Sequence, residues 1–91
     1  MEKPYTDIIL TQTEKIRTFT EDTDSGELMW HRDRENRLVE VIEGNDWLVQ
    51  MDNELPKKLT PGTKVYIPEG VYHRVIKGTG DLKVRITYCN D

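Results

Sequence analysis

Cysteine is nearly missing from this chain of 91 residues: Cys89 stands alone near the C-terminus, so no internal disulfide can form. Histidine is almost as scarce, with only His31 and His73. Two histidines and one cysteine are poor material for a Ser-His-Asp or Cys-His nucleophile system, and that class of catalysis is set aside. Long apolar runs are also lacking; none approaches the roughly 20 residues that a membrane span requires. The opening Met1-Glu2-Lys3-Pro4 has no apolar stretch of the kind a secretory signal uses, so a reducing, cytoplasmic setting is expected. Positive charge is not in excess. Thirteen Lys and Arg against seventeen Asp and Glu leave a net charge of −4, which gives no general attraction to nucleic acid or to an anionic membrane. Internal repeats, low-complexity tracts and linkers are absent, and helical periodicity amounts to one turn at most, over residues 11–16.

What the chain does have is alternation. "RLVEVIEG" (37–44), "DWLVQMD" (46–52), "TKVYIP" (63–68), "VYHRVIKG" (71–78) and "LKVRITY" (82–88) are short, rich in β-branched and aromatic residues, and bounded by Gly, Pro, Asn or Asp. Turn signals separate them: Gly44-Asn45-Asp46, Asp52-Asn53, Pro61-Gly62, Pro68-Glu69-Gly70 and Gly78-Thr79-Gly80-Asp81. Upstream, "DIIL" (7–10), "KIRTFT" (15–20) and "ELMWHRD" (27–33) read the same way, with a polar loop, "EDTDSGE" (21–27), between the last two. Some eight strands in one domain over 1–91 predict an all-β fold, a closed barrel or a two-sheet sandwich. Trp30 and Trp47 are expected to pack, and Tyr66 and Tyr72 to lie at a sheet or subunit contact.

Residues 62–77 resemble the second signature of the cupin family: Gly62, five residues, Pro68-Glu69-Gly70, two residues, His73, three residues, and Lys77 where the family has Asn. The first signature is present in altered form. Counting back from Gly44 places His31 and Asp33 at the His-x-His positions and Arg37 at the Glu position, with "VIEG" (41–44) similar to the usual ending. The resemblance covers about 27–88 and implies a small cupin-type jelly-roll β-barrel with an internal metal. His31 and His73 fall at ligand positions, and Asp33 at one with a changed but competent ligand. Arg37 cannot ligate, because its guanidinium stays protonated.

Strand parity brings the same residues together. Positions two apart share a face, so His31, Asp33 and, if the strand resumes in phase, Arg37 face one way; His73, Val75 and Lys77 share a face on a later strand. Two imidazoles and a carboxylate form the 2-His-1-carboxylate set, which leaves coordination positions open on a divalent metal. Fe(II) suits it best; Mn, Ni, Co and Zn are compatible. Arg37 has two readings. It can pair with Asp33 or Glu35 and leave the site metal-free, or it can be held for an anionic ligand. With Lys77 as a second cation, the expected substrate is a small anionic molecule. An enzyme of this type would be a metal-dependent oxygenase, isomerase or lyase; the rival is a non-catalytic binding module. A chain this size buries only about 60–65% of the surface its unfolded form exposes, and a homodimer is expected to cover the apolar outer sheet.

Overall fold

The alternation becomes eight β-strands in a computed structural model that describes residues 5–22 and 28–89. In chain order they are β1 (Tyr5–Ile9), β2 (Glu14–Phe19), β3 (Asn36–Asn45), β4 (Leu48–Met51), β5 (Lys57–Lys58), β6 (Lys64–Ile67), β7 (His73–Ile76) and β8 (Thr79–Cys89). They form a five-stranded sheet, β1-β2-β8-β3-β6, and a three-stranded sheet, β5-β4-β7, antiparallel throughout. No α-helix occurs among the described residues. The all-β expectation holds, and residues 11–13 form a bend rather than a helical turn.

Parity decides what goes inside. Arg17 and Phe19 on β2, Val41 on β3, Val49 and Met51 on β4, Val65 and Ile67 on β6, and Leu82, Val84 and Ile86 on β8 are buried at two-residue intervals. Both sheets thus contribute to one apolar cluster, completed by Leu59 and a fully buried Trp47. The Trp47 indole donates to the Gly80 carbonyl at 3.3 Å, which satisfies its one polar atom inside the core.

The turn chemistry also reads through. Asp46 and Asn53 adopt φ of 63° and 62°, the left-handed region that Asp and Asn tolerate. Gly70, at φ 79°, lets the chain reverse just ahead of β7. At Gly78 an added Cβ would lie 2.2 Å from the Asn45 carbonyl oxygen; only a residue without one lets the β7–β8 corner pass so close to the β3–β4 turn.

The expected strand over 27–33 is the main departure. Glu27, like most of the expected polar loop, lies outside the described residues. Beyond it the segment makes one reciprocal bridge, in which the His31 and His73 amides donate to each other's carbonyls at 3.0 and 2.8 Å. The ladder stops on both sides for local reasons. The Met29 carbonyl accepts from the His31 ring, and the Val71 amide turns back to Pro68. Trp30 is 46% exposed, over the Arg74 guanidinium, so only Trp47 of the two tryptophans is a core residue.

Candidate metal centre

The bridge places His31 directly opposite His73, so both side chains leave the same face of the ladder. Asp33, two residues on, follows them. The loop carrying it is fastened to the β6–β7 turn by two bonds: Gly70 donates its amide to the Asp33 carbonyl at 2.9 Å, and Glu69 donates its amide to Asn36 Oδ1 at 2.8 Å. The conformation set by Gly70 therefore aims His73 and also anchors Asp33.

One ligating atom from each of His31, Asp33 and His73 lies within 4.8 Å of the others. The ring centroids are 4.3 Å apart; His73 is buried and the Asp33 side chain is 7% exposed. Each imidazole donates Nδ1–H to the carbonyl two residues before it, His31 to Met29 at 2.8 Å and His73 to Val71 at 2.9 Å. A carbonyl only accepts, so these bonds fix the Nδ1–H tautomer and leave Nε2 of each neutral ring as a lone-pair donor. Metal-binding histidines are held in the same way, the second ring nitrogen fixed to a carbonyl or carboxylate. Asp33 Oδ2 completes the set, 3.3 Å from His73 Nε2 and without a well-aligned hydrogen bond.

Arg37 enters the same space from β3. Its Nε and Nη2 both donate to Glu35 Oε1, at 2.9 and 2.7 Å, while Nε stands 3.5 Å from Asp33 Oδ2. Glu35, one of the two carboxylates expected to pair with Arg37, therefore answers the guanidinium charge. The inner group carries two carboxylates and one guanidinium, a net −1 that a divalent cation would complement. Burial pushes the Asp33 carboxyl up, but the close approach of a protonated His73 ring, the Arg37 guanidinium and a protonated His31 outweigh it and hold the group below its ordinary value; a metal ion would displace the imidazole protons and take over their part. Asp33 is thus kept ionised, as a ligand must be. Donor types, tautomers and net charge all fit a divalent ion.

Two of the three, Asp33 and His73, line a cavity of about 50 Å³ between the sheets, walled otherwise largely by core side chains and by Arg17 and Arg37. Lys77 is not on its wall. β7 ends at Ile76 and Lys77 is exposed beyond it, so parity carried past the end of the strand misplaced it. The second interior cation is Arg17, which the sequence reading did not single out. It is buried on β2, gripped by Asp7 through Nε–Oδ1 at 2.9 Å and Nη2–Oδ2 at 3.1 Å, with its guanidinium 3.7 Å from the Tyr5 ring centroid. Its signal was the alternation of "KIRTF", which puts Arg17 in phase with Phe19.

No family model and no curated protein sequence matches the chain. Solved structures do. A cupin domain from Bordetella pertussis Tohama I is 24% identical over 99% of both chains, with a TM-score of 0.63. A cupin-2 domain protein from Shewanella frigidimarina is 20% identical, covering 90% of this chain and 76% of its own, at 0.65. Fe(II)-HppE, determined with an alternative substrate, is 22% identical over 93% of this chain and 48% of its own, also at 0.65. With both sheets, the register of the two histidines and these likenesses taken together, the chain has the fold of a small cupin barrel.

Proposed function

We propose that this small barrel binds one divalent metal through His31, Asp33 and His73 and acts on, or senses, a small anionic molecule. The observation that carries the reading is the pair of Nδ1–H bonds to Met29 and Val71, which present two Nε2 lone pairs to a charged, buried carboxylate. A buried carboxylate beside the His73 lone pair is costly unless something positive stands near them. Arg37 pairs more closely with Glu35 than with Asp33, so its charge is answered chiefly without the Asp33 carboxylate. The iron-bearing HppE neighbour supports the reading by analogy of fold.

A bound ion with open positions would supply Lewis acidity or a site for a small ligand, the chemistry on which an oxygenase, isomerase or lyase would draw. The chain's own residues hold the donors in register, keep Asp33 ionised, and line the inner cavity with apolar side chains that limit water. Among Fe, Mn, Ni, Co and Zn, Fe(II) suits the donor set best and the others are compatible with it.

A second reading rests on the 3.5 Å approach of Arg37 to Asp33. There the guanidinium serves as the permanent counter-ion of the carboxylate, and the barrel is a metal-free binding module. Metal analysis of protein purified without a histidine tag separates the two. Near-stoichiometric metal that His73→Ala loses supports the first; a metal-free chain that takes up none on dialysis against Fe(II), Mn(II), Ni(II) or Zn(II) supports the second.

A further inference from the structure

The inner cavity, at about 50 Å³, accommodates an ion and one or two waters but not the body of a metabolite. A second hollow of about 430 Å³ adjoins it, and Asp33 lines both. Arg32, Arg34, Glu69 and Gly70 form the rest of its lining. Its volume falls within the range of small-ligand sites. Its wall follows from the same alternation that builds the metal centre. With His31 and Asp33 turned inward, Arg32 and Arg34 are turned to the rim. Arg32 lies 5.5 Å over the Tyr72 ring, a cation–π contact that leaves its N–H edges to donate.

Resting on the metal reading above, we infer that this outer hollow is the recognition site for an organic oxyanion, a carboxylate or a phosphate ester. Its charged end lies on Arg32 and Arg34, and its other end reaches the ion at Asp33. The charges explain both the class of ligand and the order of events. Without an ion, the charged residues that line the hollow, Arg32 and Arg34 against Asp33 and Glu69, sum to zero. A divalent ion held by Asp33 takes the same surface to a net +2. Anion binding therefore follows metal loading, and by linkage the anion tightens the metal in return. Arg37, already paired with Glu35 and Asp33, and Lys77, outside both hollows, are not the grip on the ligand.

The test is calorimetric titration of succinate, and separately of glycerol 3-phosphate, into untagged protein loaded with Ni(II), at low ionic strength. Parallel titrations use the metal-free protein, Arg34→Glu, Arg32→Gln, and Lys64→Ala on β6 as a control, with nickel content measured for each. The expected result is binding of one or both probes to the loaded protein, about tenfold weaker without metal and in each arginine variant, and unchanged in Lys64→Ala. Arg34 takes part in neither ring contact beside the bridge, so its variant stays informative if Arg32→Gln loosens the fold. Succinate alone would identify a carboxylate ligand and glycerol 3-phosphate alone a phosphate ester. A protein that loads nickel yet binds neither probe, or binds them equally well without Arg32 and Arg34, overturns this inference alone. A protein that takes up no nickel overturns the metal reading and the dependence built on it.

Discussion

Replacing Glu35 by Gln tests the electrostatic argument on which the metal centre depends. The substitution keeps the shape of the side chain but deletes the charge that Arg37 Nε and Nη2 contact at 2.9 and 2.7 Å. The inner group then goes from a net −1 to neutral. The three donor atoms lie within 4.8 Å of one another, and Glu35 sits one guanidinium beyond Asp33. A divalent ion among the donors would stand roughly 7 Å from the deleted charge. The Glu35 side chain is 34% exposed, so an effective dielectric of about 40–80 is appropriate, and the lost attraction is about 1–2 kcal/mol. Metal affinity should fall by about five- to thirtyfold, as read by competition with a chelating dye for Zn(II) or Ni(II). Arg37→Gln should raise affinity by a similar factor, and the double variant, again at net −1, should return close to the starting value. An unchanged affinity in Glu35→Gln, or a double variant no better than Glu35→Gln alone, would refute the reasoning.

Two further outcomes concern stability. Asp7 is held below its ordinary value of 3.8: burial raises it, but the hydrogen bonds and charge of Arg17, with Lys15, lower it further. A depressed folded-state value means that this carboxylate stabilises the fold above pH 3.8 and loses that contribution as pH falls through the lower folded value. Asp7→Asn should therefore cost about 2 kcal/mol at pH 7, with Arg17 left buried, and the gap to the parent should close in denaturant titrations below pH 3.8; a constant gap across that range would refute the assignment. Gly78→Ala should lower the melting temperature sharply, with a cost of about 3 kcal/mol, because the new Cβ meets the backbone of Asn45, Asp46 and Trp47 at 2.2–2.5 Å. A melt within a degree or two of the parent would mean that the corner relaxes freely.

Much of the architecture was legible because one face of each strand is buried, and burial writes itself into a sequence with period two. Val39 and Val41, or Val84 and Ile86, announce their strands without help. The glycine and proline of 68–70 announced the turn that aims His73. What could not be read is whatever depends on where a strand stops or on which strands meet. Lys77 shares parity with His73, but β7 ends one residue earlier. β5 is two lysines with no apolar content to mark it. Alternation puts Arg17 in the inward phase of Phe19, but what lets an arginine stay there is Asp7 opposite it on β1, a pairing that no local pattern encodes. Glu35 was legible as a possible partner of Arg37, but its reach to the guanidinium, which decides between it and Asp33, was not. That His31, Asp33 and His73 would converge was legible from the resemblance and from parity, and the structure brings them within 4.8 Å of one another.

The central claim is that His31, Asp33 and His73 together hold a single metal ion. Crystals of untagged protein grown with Ni(II), with diffraction recorded at the nickel edge, test it most directly. The account predicts one anomalous peak in the interior, about 2.0–2.2 Å from Nε2 of both histidines and from an Asp33 oxygen, and no such peak in His73→Ala. An empty interior, with nickel bound only to surface carboxylates or absent altogether, would contradict it.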